Sequence, residues 1–261
     1  MITADGYFDW ARRDPGPSEK QYTAPCMSQG VINHSAVGYY NGWRSRLDDM
    51  SKDANGRFTP YAAASVTGWV EKDGTLIQHY PITASCWASG NGIANIAFNA
   101  FEHAGGPPGN ESEPLTAAQK AADLRIIRDL MAHKKLTQVR RITELAPGPA
   151  RGAAPAPIGT TAFWLGEHNE AVTLWGGAPT ACPSKRIPWA EYLAALQNLP
   201  DGLSLVRSSA ASYTFLTLAL GGKRRWKVYI DSLAALRAVS AVVGGVVTIQ
   251  QAELDAIPRL R

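Results

Sequence analysis

Between residues 116 and 133 the chain carries the pattern of one long amphipathic helix, and no other stretch restricts the fold as strongly. Thr116 and Gln119 stand in the spacing of a capping box, in which hydroxyl and amide satisfy each other's backbone N–H groups at a helix start. Leu124, Ile127, Leu130 and Met131 then recur at helical spacing, so one face is apolar and must lie against a sheet. Residues 31–34, 65–70, 75–80 and 96–102 are short runs rich in β-branched and aromatic side chains and read as strands. Residues 44–50 read as a short helix, and 189–199 as a further amphipathic one. Strands interleaved with helices imply an α/β fold.

Size and charge narrow the function classes. A chain of 261 residues suits one generous domain, or one domain with an appendage. With 45% hydrophobic and 18% charged residues it has ample material for a core. The net charge of +4 is mild, and no basic run interleaved with aromatics argues for nucleic-acid readout. No stretch of about 18 apolar residues suggests a membrane span. The start, Met1-Ile2-Thr3-Ala4-Asp5-Gly6-Tyr7, lacks the basic and apolar regions of a signal peptide, so cytoplasmic synthesis without a signal peptide is expected. Three cysteines are too few for a disulfide framework. Cys26 and Cys86 read as buried free thiols, with pairing outside the cell left open.

Four chemically capable residues stand in distinctive local settings. His34 closes the apolar run Gly30-Val31-Ile32-Asn33, and Glu102 lies in Phe101-Glu102-His103, ahead of Gly105-Gly106. His168 follows Trp164-Leu165-Gly166-Glu167, and Cys182 lies in Pro179-Thr180-Ala181-Cys182-Pro183. Singly, each has an ordinary reading: a strand-end His is usually just hydrogen-bonded, and a carboxylate is usually solvated. Nor do they share a compact spacing such as HExxH.

Taken in order, six segments from about Tyr7 to about Leu199 resemble the zinc N-acetylmuramoyl-L-alanine amidases, the type shared by phage endolysins and animal peptidoglycan recognition proteins. They are the strand ending in His34, a hairpin over residues 65–78 with Lys72-Asp73-Gly74 in its turn, and the loop Cys86-Trp87-Ala88-Ser89-Gly90-Asn91. Asn95 seven positions before Glu102, the helix opened by Pro114-Leu115-Thr116, and the paired Glu167-His168 and Thr180-Ala181-Cys182-Pro183 segments complete the series.

The resemblance implies a central mixed β-sheet flanked by helices, the peptidoglycan recognition protein-like amidase fold. It implies Zn2+ held by His34, His168 and Cys182, with a fourth position open for water, and Glu102 as general base and acid. Trp87, Asn95 and Thr180 are the implied substrate-binding residues. The implied activity is hydrolysis of the amide between N-acetylmuramic acid and L-alanine in peptidoglycan, by a monomeric phage endolysin acting on the bacterial cell wall after holin-mediated release. Ala88 stands where many relatives have a His, and Thr180 where several have a Lys. These departures keep open a non-catalytic peptidoglycan-binding protein on the same fold, and a register with Asn99 at the carboxylate position has the same consequence. A cytosolic enzyme that recycles wall fragments is the other setting for the same chemistry.

Residues 146–159 are rich in Pro, Gly and Ala and would pass for a linker. The implied ligands lie on both sides of them, so they read as a long loop inside a catalytic domain of residues 1–200. A boundary is expected near Pro200-Asp201-Gly202. Residues 201–261 then form a small α+β appendage, either a cell-wall-binding module or a structural extension. Its pattern predicts a hairpin of 213–220 with 225–230 around Gly221-Gly222, a helix over 232–243, a strand over 246–249 and a helix over 250–257.

Overall fold

The computed structural model of the protein describes residues 1–36, 38–145 and 161–197, and the backbone of four further strands between 204 and 249. The backbone packs as two units, Met1–Tyr192 and Leu193–Arg261.

The first unit is built on a seven-stranded mixed sheet. Its strands are β1 (Arg12–Arg13), β3 (Gly30–Ser35), β4 (Gly68–Val70), β5 (Leu76–Gln78), β7 (Asn99–His103), β8 (Val139–Arg141) and β9 (Phe163–Glu167). Their spatial order is β1-β5-β4-β7-β3-β9-β8. All neighbours are parallel except β4 and β5, the expected hairpin, which is antiparallel. A separate antiparallel pair joins β2 (Gln21–Pro25) to β6 (Ala84–Cys86). The helices are α1 (Tyr40–Asp48), α2 (Gly92–Ala97), α3 (Ala117–Lys134), α4 (His168–Trp175) and α5 (Trp189–Gln197). Among the described residues no helix is long and apolar enough to cross a membrane.

The central strands are buried on both faces, as parallel strands between helical layers must be. Ile32 packs with Phe98, Trp164, Ala171 and Trp175 beside α2 and α4. Ala100, its partner in the ladder, packs with Trp43, Leu47 and Trp69 beside α1. The alternate residues, Asn33 and His103, face the opposite way and reach Asp123 of α3. That alternation carries His34 and Glu102 to the α1 face, because side chains two apart on a strand share a face.

The α3 capping box forms as read: the Thr116 hydroxyl accepts from the Gln119 amide at 3.0 Å, and Gln119 Oε1 accepts from the Thr116 amide at 3.1 Å. Its buried stripe is Gln119, Ala122, Asp123, Ile126, Ile127, Leu130 and Met131. Leu124 lies beside this stripe and is only partly buried. The expected strand over 96–102 is corrected. Asn91 caps a short helix by accepting from the Ile93 and Ala94 amides, so residues 96 and 97 finish α2 and the strand begins at Asn99.

The second unit is a four-stranded sheet of β10 (Ser204–Ser208), β11 (Thr214–Leu220), β12 (Lys223–Ile230) and β13 (Val246–Ile249), in the order β12-β11-β10-β13. The expected hairpin is the antiparallel pair of β11 and β12. β10 has no counterpart in the sequence reading. The loop over 146–159, the boundary at Pro200-Asp201-Gly202, the Gly221-Gly222 turn and the helices over 232–243 and 250–257 lie outside the described residues.

Candidate metal centre

Three of the four singled-out residues leave the sheet at the same end. His34 is the fifth residue of β3, Glu102 the fourth of β7, and His168 follows the last residue of β9 as the first of α4. All three lie at the carboxyl ends of parallel strands, where α/β sheets present their sites. Cys182 comes from the loop after α4, and its carbonyl accepts from the Asn169 amide at 3.0 Å, which pins that loop to the helix start.

One donor atom each from His34, His168 and Cys182 lies within 4.8 Å of the other two. The Cys182 sulfur is 3.8 Å from His34 Nδ1, and the two imidazole centroids are 4.6 Å apart. The Ser35 amide points at the sulfur from 3.3 Å. His34 is only 3% exposed, and its Nε2 is buried without a hydrogen-bond partner. Glu102 pairs directly with His34 in the parallel ladder and with Trp69 on its other side.

Burial governs the protonation of all four. It holds His34 well below the usual imidazole range, and the proximity of two further imidazoles, His168 and His103, disfavours its protonation in the same direction. It lowers His168 as well, against a hydrogen bond with the Ser89 backbone. Both rings are therefore neutral near pH 7 and keep a lone pair for a metal. Burial pushes the Cys182 thiol up, and the Glu102 charge adds to this; a coordinated cation reverses that balance outright. Burial also raises Glu102 to about 7, opposed by electrostatic interaction with His103, Arg46 and Arg186.

The remaining predicted residues line one groove of about 880 Å3 together with His168. Trp87 stands edge-on to Tyr22 and Phe58, with centroids 6.3 and 5.3 Å away. Thr180 also lines the groove and accepts from the Cys182 amide at 3.1 Å. Asn95 is largely committed to the fold: its Oδ1 accepts from the Ala88 and Ser89 amides, and its amide donates to the Tyr22 hydroxyl. Arg46, in the same groove, and Arg186 were not singled out in the sequence. Lys185 is exposed, whereas Arg186 beside it is 3% exposed. No pattern in the sequence separates these two neighbouring cations.

The sequence signature of N-acetylmuramoyl-L-alanine amidases, Amidase_2, matches residues 16–185. The chain belongs to this amidase family. His34, Glu102, His168 and Cys182 all fall inside the match. Among solved structures the amidase is similar to a selenomethionine derivative of AmpD, at 17% identity and a TM-score of 0.46 over 75% of this chain and 99% of that one. It is also similar to the N-acetylmuramoyl-L-alanine amidase LysC from Clostridium intestinale URNW, at 15% identity and a TM-score of 0.42 over 72% and 97%. A mutant endolysin from Bacillus subtilis is 14% identical with a TM-score of 0.44 over 75% and 99%. No curated protein matches the amidase.

Proposed function

We propose that this amidase hydrolyses the bond between N-acetylmuramic acid and L-alanine in peptidoglycan, with zinc held by His34, His168 and Cys182 and with Glu102 as general base and then general acid. The observation that carries the reading is the convergence of two imidazoles and one sulfur, from three separate segments, within 4.8 Å. The donor set fits the ion. Three ligands of mixed nitrogen and sulfur type are what catalytic zinc takes when one position stays open. His34 Nδ1 faces the Cys182 sulfur at 3.8 Å, so this ring nitrogen is placed to share an ion with it.

Zinc in such a site supplies Lewis acidity, polarising the amide carbonyl and activating water. The protein's own part is proton handling and alignment. A carboxyl group raised to about 7 both accepts and returns a proton near neutrality. Glu102 takes the proton of the attacking water as the C–O bond forms. It delivers that proton to the nitrogen of L-alanine as the C–N bond breaks. Trp87 offers the groove a broad apolar wall, Thr180 braces the Cys182 loop, and Asn95 holds the loop that carries Ala88 and Ser89.

The role as a phage endolysin, acting on intact wall, rests on the resemblance of the six sequence segments. The test is mass spectrometry of products from purified cell walls, with and without chelator. The reading expects muramic acid freed of peptide and new L-alanine amino termini in the metal-loaded reaction alone. Cleavage at another bond, or cleavage untouched by chelation, would sink it.

A further inference from the structure

We propose that Arg186 is a positioning residue for the metal centre, holding the Cys182 loop against the ends of β3 and β7 so that the sulfur stays aligned with His34. This rests on the reading of His34, His168 and Cys182 as metal ligands. Arg186 is buried, and its guanidinium makes four hydrogen bonds. Nε donates to the Glu113 carbonyl at 2.6 Å. Nη1 donates to the Ser35 hydroxyl at 2.6 Å and the His103 carbonyl at 3.2 Å, and Nη2 donates to the Ala104 carbonyl at 2.9 Å. One planar fork thus grips the residue after His34, the residue after Glu102 and the next one along.

The connection to the sulfur is short. Ser35, whose hydroxyl is held by Arg186, directs its own amide at Cys182 from 3.3 Å. Only three residues separate Cys182 from Arg186, and the chain between them is tightly turned. Ser184 and Lys185 have φ of 59° and 64°, a left-handed conformation that non-glycine residues keep only when their surroundings enforce it. The fork of Arg186 is such an enforcement: it supplies a donor to the Glu113 carbonyl and the Ser35 hydroxyl, and a second donor to the His103 and Ala104 carbonyls, which also accept from the Ala36 amide and the Gln119 side chain.

The charge is placed with purpose too. All four acceptors are neutral groups, and among the described residues no carboxylate lies within ion-pair distance of Arg186. A buried cation without a direct counter-ion is expensive. The nearest compensation in charge comes from Glu113, whose carboxylate acts on Arg186 without forming a direct ion pair. Lysine cannot take over this role, since a single ammonium lacks the fixed fork that reaches acceptors on both sides.

The experiment titrates metal-free full-length protein with zinc against a chromophoric competitor and records the sulfur-to-cobalt charge-transfer absorption of the cobalt-loaded form. Arg186→Met should weaken zinc binding about 10- to 100-fold, the usual effect of removing an outer partner of a metal ligand, and should alter the cobalt band. Arg186→Lys should recover only part of the affinity. If Arg186→Met does not fold, Ser35→Ala decides: it breaks one charge-assisted bond and should cost about tenfold in affinity. Zinc affinity within twofold of wild type and an unchanged cobalt band in these variants would overturn the proposal while leaving the ligand set intact. A wild-type protein that binds no zinc would instead remove the ligand reading, and this proposal with it.

Discussion

At Glu102 a carboxyl group lies 8% exposed beside His34 in the parallel ladder, and the proposed role makes its protonation matter for turnover as well as for stability. Replacing Glu102 by Gln keeps the shape and removes the proton acceptor. Turnover on purified walls should fall by about 10²- to 10⁴-fold, the range typical of a lost general base, while zinc content by metal analysis stays at the wild-type level. The folded-state pKa of about 7 lies above the ordinary 4.5, so between those values the folded chain holds a proton that the unfolded chain has lost. Stability from this group is full below about 4.5 and declines as pH rises through about 7. In metal-free protein that decline amounts to about 3 kcal/mol, and Glu102→Gln should lack it. Urea melts at several pH values test this, and parallel pH profiles of the two proteins would refute it. The identity of the four residues was open to reading only through their flanking segments, because single His, Cys and Glu residues carry no spacing signal. Arg186 had not even that, and only its burial separates it from Lys185.

Among the elements, legibility followed how local the determining forces are. The capping box of α3 involves residues three apart, so it could be recognised without knowing the fold. α2 is six residues long, too short for a helical stripe, and its Asn91 cap sits in a run that looks like the approach to a strand. β3 shows the opposite limit, a strand whose requirement comes from its neighbour. A Cβ at Gly30 would stand 1.9 Å from the Trp164 carbonyl oxygen of β9, and backbone cannot yield as a flexible side chain can. Gly30→Ala should therefore force β3 and β9 apart and destabilise the fold by about 3 kcal/mol, at the upper end of overpacking costs. It should also weaken zinc binding, because β3 carries His34. A thermal melt together with a zinc titration checks both; a stable variant with unchanged affinity would show that the contact relaxes harmlessly.

For the whole molecule, the organising fact is that His34 and Glu102 precede residues 146–159 while His168 and Cys182 follow them, and all four belong to one folded unit. The second unit brings its own four-stranded sheet, and we propose that it serves as a wall-binding module. Truncation after Gly202 should then reduce pelleting with purified walls by about tenfold, a loss of about 1.4 kcal/mol in wall affinity, without slowing cleavage of soluble muramoyl peptides. Unchanged pelleting would make this unit a structural extension. Its β11–β12 hairpin was legible from two apolar runs around paired glycines. β10 was not, because its partner on one side, β13, lies about 40 residues away.

By itself the sequence determined the class of fold, the start of α3, and which few residues could carry chemistry, since propensity, capping and motif order are properties of neighbouring residues. Tertiary structure alone decided that His34, His168 and Cys182 meet, that Glu102 lies buried on the same face as His34, and that Arg186 rather than Lys185 turns inward. Those outcomes depend on strand register and on which groups lose water, and both arise only when distant segments pack.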